Sequence, residues 1–145
     1  MIVIDANLLL YAYDSSAAHH PRARRWVEDA FSGAEQVRLP WAVVLAFLRI
    51  STHPRALSRP LPIAEATSIV DEWLGLPNVE TLDPTDRHWE ILRDLMTDAQ
   101  VRGPLVTDAH LAALAIEHGA TLCTNDRDFR RFQGLRQAFP LVEPG

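Results

Sequence analysis

The chain is expected to fold as an α/β three-layer sandwich around a central parallel sheet, and three observations lead there. Short strand-like runs, Ile2-Val3-Ile4 and Thr121-Leu122-Cys123, alternate with longer stretches of helical periodicity. Glycine and proline fall where one period gives way to the other. At 145 residues the chain suits one domain, 1–145, long enough to cover a sheet on both faces.

The first strand is expected over Met1 to Asp5, followed by a short helix through Asn7 to Tyr11 that breaks at Asp14-Ser15-Ser16. Pro21 suits the first turn of a second helix, whose Ala23, Trp26, Val27, Ala30 and Phe31 follow three-and-four spacing until Gly33. Val37 to Leu39 reads as a strand. Pro40 then opens a helix from Trp41 to Ile50 that is apolar on nearly every side, so it must be buried in the core or against a partner. After the Pro-rich connection from His53 to Pro62 comes a helix with Ile63, Ala66, Ile69, Val70, Trp73 and Leu74 on one stripe, stopped by Gly75 and Pro77. Val79 to Leu82 is the next strand.

Asp83-Pro84-Thr85-Asp86 offers an N-cap with proline at the first helical position, and Trp89, Leu92, Leu95, Met96 and Ala99 form the buried stripe that follows. Arg102-Gly103-Pro104 ends it. Thr107 to His118 carries the strongest helical signal: a threonine cap, an unbroken Ala/Leu run from Leu111 to Ala115, and Gly119 just beyond. Strand Thr121 to Cys123, a short helix near Phe129 to Phe132 and an edge strand near Phe139 to Val142 complete the reading.

Composition narrows the class. With 48% hydrophobic and 23% charged residues the chain reads as a soluble globular protein. Its longest apolar run, Trp41 to Leu48, is well short of the roughly 18 residues a membrane span needs. No basic n-region of a secretory signal precedes Asp5, so cytoplasmic residence is the expectation. The lone Cys123 has no partner for an intrachain disulfide and suits a small buried apolar position.

A net charge of −5 argues against a purely electrostatic nucleic-acid binder, yet the charge is unevenly spread. No acid stands between Glu35 and Glu65, where Arg38, Arg49, Arg55, Arg59 and His53 fall; Arg127, Arg130, Arg131 and Arg136 bracket the last aspartates. All 14 cations are arginine, the side chain whose fork grips phosphate at two points.

Three apolar runs hand over to aspartates: Ile2-Val3-Ile4 to Asp5, Leu105-Val106 to Asp108, and Thr121-Leu122-Cys123 to the segment Thr124-Asn125-Asp126-Arg127-Asp128. If the strands are parallel, their last residues share the edge where open α/β sheets bind ligands. Carboxylates gathered there raise each other's pKa values, an arrangement that a divalent cation would neutralise. For Asp108 the dipole of its helix favours the charged form and would lower the pKa. Asp126 is favoured as the pocket-facing residue, with Asp128 capping the short helix. Asn7 and Thr124 can support Asp5 or a ligand water.

An oxygen-only ligand set suits Mg²⁺ or Mn²⁺, and no Cys/His spacing suggests zinc. Asp5, Asp108 and Asp126 are therefore the metal-ligand candidates, and Asp128 joins them as a catalytic candidate. His110, two residues after Asp108, points to another side of the helix and reads as a rim or core histidine.

Together these residues resemble the PIN-domain nucleases, specifically the VapC-type ribonuclease toxins of toxin-antitoxin pairs. The resemblance rests on Met-Ile-Val-Ile-Asp5-Ala-Asn7, on Val106-Thr107-Asp108-Ala-His-Leu-Ala-Ala-Leu-Ala, and on Thr124-Asn-Asp126-Arg-Asp128-Phe129. It implies a Rossmann-like PIN fold, a metal-dependent endoribonuclease, a homodimer and a small antitoxin partner. It places metal binding on Asp5 and Asp108 with support from Asp126 and Asp128.

The chain departs from the family pattern at one point. Leu45-Ala46-Phe47-Leu48-Arg49 stands where the family usually has Leu-Ala-Glu-Leu-Arg, so the metal has one carboxylate fewer. The expected reaction is attack of a metal-activated water on an RNA phosphodiester, with Arg127, Arg130, Arg49 and Arg55 as phosphate contacts. The rival is a PIN-like module that binds RNA or protein without cutting. Phospho-receiver, haloacid-dehalogenase-like and P-loop readings fail because the chain has no lysine.

Overall fold

The strand-like runs pair as parallel neighbours in one sheet of order β3-β2-β1-β4-β5 in the computed structural model, which describes residues 1–142. The strands are β1 (Ile2–Ile4), β2 (Val37–Pro40), β3 (Val79–Leu82), β4 (Thr121–Cys123) and β5 (Gln137–Ala138). The helices are α1 (Ala6–Tyr13), α2 (His20–Ser32), α3 (Trp41–Ser51), α4 (Ile63–Leu74), α5 (His88–Asp98) and α6 (Leu105–Glu117), with a 3₁₀ turn over Arg127–Arg131.

From β1 the chain winds outward through β2 to β3, then returns to lay β4 on the other side of β1. Ile2 sits opposite Val37 on one flank and Thr121 on the other; Ile4 sits opposite Cys123. The change of direction makes the β1–β4 boundary the switch point of the sheet, where parallel α/β folds open a crevice beyond the carboxyl ends of their strands. Asp5 and Thr124 are the first residues past those ends.

A parallel sheet covered on both faces needs strands apolar on both sides. Val3, Ile4, Val37, Leu39 and Leu122 are accordingly buried. Each such side chain taken from water stabilises the fold by about 1.5–3 kcal/mol. α1 packs with α2 and α3, and α3 with α4; α5 and α6 form the second helical layer. Ala109 and Leu111 to Ala115 are all buried, and that run of small and medium side chains lets α6 lie close to its neighbours. Gly119 (φ 66°) stops α6 in the left-handed conformation that only glycine adopts cheaply, with Ala120 donating its N–H back to the Ala115 carbonyl.

The structure revises several element boundaries. α6 begins at Leu105, so Leu105 and Val106 are its first turn rather than an extended run, and Thr107 makes no cap. α5 begins at His88 without a side-chain cap; Asp83 to Asp86 stay outside it because Glu117 accepts the Thr85 N–H at 2.7 Å and holds that segment as a turn. Trp89 is 62% exposed, and Ile91 replaces it on the buried stripe. The last strand is Gln137–Ala138 rather than 139–142, because the chain turns there with Val142 N–H bonded to the Phe139 carbonyl. On α3, Trp41 and Leu45 lie one turn apart and are 49% and 60% exposed, so this apolar helix is not buried within the chain on every side. No described helix is long and apolar enough to cross a membrane.

Candidate functional site

The loops that leave β1 and β4 at the switch point are organised around one hydroxyl. Asp5 leaves β1 in extended conformation, and its N–H bonds the Cys123 carbonyl at 2.9 Å, continuing the β1–β4 pairing one residue further. Its Oδ1 caps α1 by accepting the Ala6 N–H at 2.7 Å. Its Oδ2 accepts the hydroxyl of Thr124 at 2.8 Å.

Thr124 is fully buried, and its oxygen also accepts the Asp126 N–H at 3.0 Å and Asn7 Nδ2 at 3.4 Å. Asn7 Oδ1 in turn accepts the Asn125 N–H at 3.3 Å. The loops after β1 and β4 are thereby fastened together, as a buried polar network must be if it is to hold one geometry.

Around this frame stand four carboxylates. Burial raises the pKa of Asp5 most, the bonds from Thr124 and Ala6 oppose the rise, and the charge of Asp126 adds to it. Asp108 projects from the first turn of α6 and accepts no hydrogen bond from the described residues. Its carboxyl is pushed up to about 6 by burial first, then by Asp126, Asp5 and Asp128; only Arg131 opposes the rise. The helix dipole was expected to lower this pKa, but burial and three neighbouring charges outweigh an effect worth only about 0.3–1 kcal/mol.

The division of labour between Asp126 and Asp128 also differs from expectation. Asp126 is the residue that caps the 3₁₀ turn, accepting the Asp128 N–H on Oδ1 at 2.8 Å, while its charge reaches both Asp5 and Asp108. Asp126 Oδ2 has no donor among the described residues. Asp128 lies further out, paired with Arg131 Nη2 at 3.4 Å.

Arg131 was noted in the sequence only as one of the basic cluster around the last aspartates, with no role at the site. Its spacing of three from Asp128 within a helical turn is the signal that would have found it. Its Nε is fixed on the Asp128 carbonyl at 2.9 Å.

Among the described residues no three His, Cys, Asp or Glu side chains converge closely enough to enclose a metal ion by themselves. The cluster nonetheless fits a hard cation that keeps part of its water shell. Its donors are all oxygen, its negative charge is largely uncompensated, and the Asp108 carboxylate lacks a protein donor. Mg²⁺ characteristically uses one or two carboxylates, several waters and substrate phosphate oxygens.

Other candidates are placed elsewhere or serve the core. Phe47, at the position of the family's glutamate, is fully buried, with ring centroids 4.6 Å from Trp73 and 5.7 Å from Tyr13. His110 bonds His88 through ring nitrogens 2.9 Å apart, and His88 bonds Glu117 at 2.7 Å, so it joins α6 to α5. Burial pushes the Cys123 thiol up to about 12, leaving it a packing residue. Arg130 stacks over Phe139, 5.0 Å from the ring centroid, and Arg127 stands exposed on the same turn. Arg49 and Arg55 line a separate cavity at the end of α3.

Comparison with known proteins gives a consistent result. The PIN domain family matches residues 2–135. Ribonuclease VapC37 of Mycobacterium tuberculosis is 43% identical over 136 residues, 94% of either chain. Ribonuclease VapC33 of the same organism is 41% identical over 143 residues, 99% of this chain and 100% of the relative. In fold, the chain is similar to the VapC20 toxin of M. tuberculosis, described as cleaving the sarcin-ricin loop (TM-score 0.67, 19% identity, 94% of this chain and 99% of that one). It is also similar to a chain of the VapBC2 complex of Rickettsia felis bound to promoter DNA (TM-score 0.69, 19% identity, 95% and 98% covered).

Proposed function

Since the chain belongs to the PIN-domain family, we propose that it is an endoribonuclease, the toxin of a toxin-antitoxin pair, hydrolysing RNA phosphodiester bonds. The observation that carries this reading is the carboxylate cluster at the switch point, above all Asp108: partly buried, without a protein donor and raised to about 6. Its relatives' names supply the substrate class, and the coupled oxygens supply a reason for a cation.

Asp5, Asp108 and Asp126 would hold Mg²⁺, or Mn²⁺ in its place. When bound, such an ion supplies an acidified water and positive charge opposite the scissile phosphate. The protein's own residues do the rest. Thr124 and the Ala6 N–H fix the Asp5 carboxylate, so it meets its ligand already oriented. Asp126, anchored through Oδ1, presents its second oxygen to orient or deprotonate the attacking water, with Asp128 beside it.

The water oxygen bonds to phosphorus as the bond to the 3′ oxygen breaks, and a proton goes to that oxygen. The products are a 5′-phosphate and a 3′-hydroxyl. Arg127 and Arg130 on the adjoining turn would contact flanking phosphates, which positions the strand without reading its sequence.

The chain would act as one domain in the cytoplasm, as a homodimer held by its antitoxin. Trp41 and Leu45 on α3 and Ile63 on α4 leave apolar surface exposed for such protein contacts. The test is cleavage of RNA in Mg²⁺ by Asp5→Asn and Asp108→Asn. Each keeps the side-chain size and removes one charge. A fall in rate of about a hundredfold or more is expected, against the ~10²–10³ that one stabilising group is commonly worth. Wild-type rates in either variant would refute the assignment.

A further inference from the structure

The carboxylate cluster accounts for one end of an RNA contact, but the chain has a second unsatisfied concentration of charge that the cluster does not use. Arg49 sits in the last turn of α3, and Arg55 lies in the loop that follows. Both are exposed, and among the described residues neither is paired with a carboxylate. The segment from Glu35 to Glu65 contains no acid between its ends, so no nearby sequence neighbour can neutralise them.

This loop is built rather than loose. Leu61 N–H bonds the Ser51 carbonyl at 2.8 Å and closes the excursion, Ala56 N–H bonds the His53 carbonyl at 3.1 Å, and Ser58 reaches Ser16 at 3.2 Å. The Arg55 N–H donates to His53 Nδ1 at 3.0 Å, which sets the ring's proton on Nε2, away from that bond. Arg49, Ile50, His53, Arg55 and Ala56 together line a cavity of about 290 Å³.

Two exposed arginines and a histidine thus border one concavity whose lining is otherwise mostly apolar. Guanidinium forks match the paired oxygens of a phosphate, and they bind best where bulk water is partly displaced.

We propose that this cavity is a metal-independent subsite for a phosphodiester group of the RNA strand, held by Arg49 and Arg55 with His53 as third donor. The proposal rests on the ribonuclease reading for its ligand, and it adds a second anchoring point outside the carboxylate cluster. A strand gripped there is held before any cation engages it.

The test uses the full chain in EDTA, with binding of a short fluorescein-labelled single-stranded RNA followed by anisotropy over a series of NaCl concentrations. Each phosphate contact to a single strand contributes about 0.7 to the slope of log affinity against log salt. Arg49→Gln with Arg55→Gln should make the slope shallower by about 1.4 and weaken low-salt binding about tenfold or more. Arg49→Lys with Arg55→Lys should restore the slope, since the charges return, but not the full affinity, since the forks do not. Both pairs are exposed, and an unchanged melting temperature checks that the variants fold.

An unchanged slope and affinity in the glutamine variant overturns the subsite. So does loss of binding to an aspartate-rich peptide with the RNA slope intact, which would assign the cavity to a protein. Cleavage in Mg²⁺, compared between wild type and Asp108→Asn, is read separately. Its failure strikes the enzyme assignment and leaves the salt-dependence result standing.

Discussion

A carboxylate that ionises beside like charges costs the fold energy until something neutralises it, and Asp108 is so placed. Its folded pKa of about 6 lies above the ordinary aspartate value of 3.8. Between those values the folded state holds the proton more tightly than the unfolded chain does, so metal-free stability falls as pH rises from about 4 to about 6 and stays lower above that. The raised Asp5 acts in the same direction. Melting in EDTA and in Mg²⁺ should therefore show a larger upward shift by Mg²⁺ at pH 7 than at pH 5, and metal-free Asp108→Asn should melt above wild type at pH 7. Equal shifts at both pH values would contradict this account. Asp5 and Asp108 were legible in the sequence because a strand end and a helix start are local signals. The sign of the Asp108 shift was not, because it depends on carboxylates contributed by loops about 20 and 100 residues away in the chain.

At the level of elements, α3 shows where pattern and packing part company. The family pattern puts an acid at position 47, and sequence alone could only note that Phe47 cannot bind a cation. The structure explains what it does instead: the ring fills the space between Trp73 of α4 and Tyr13 of α1, and Trp73 Nε1 in turn donates to the Tyr13 hydroxyl at 3.1 Å. Phe47→Glu should therefore not restore a metal ligand. It should lose at least about 3 kcal/mol of stability, the range for removing a buried aromatic, before the cost of an enclosed charge is added. Urea unfolding measures the first effect and Mg²⁺ titration the second; a stable variant with tighter Mg²⁺ binding would show that position 47 faces the cluster. Helix existence was legible from periodicity here and in α2, α4 and α6. Exact starts were not: α5 and α6 lack side-chain caps, so the capping residues that marked their predicted starts, Asp83 and Thr107, were misleading.

For the molecule as a whole, strand order was the part that sequence left open. Alternating strands and helices imply a parallel sheet, but only the coordinates show that the last part of the chain returns to the flank of the first strand. That return brings Thr124 and Asp126 to Asp5 from about 120 residues away. Chain ended after Gly119 keeps Asp5 and Asp108 but loses the hydroxyl that orients one of them, and it exposes the flank of β1 that β4 covers. Such a fragment should neither melt cooperatively nor cut RNA in Mg²⁺, as calorimetry and a gel assay would show; cleavage by it would mean the acids assemble without β4. During synthesis the same geometry acts as a timer. A ribosome can make most of this polypeptide before the cluster exists, and on the reading given above competence to cut RNA arrives only as β4 and the loop after it leave the exit tunnel and dock beside β1.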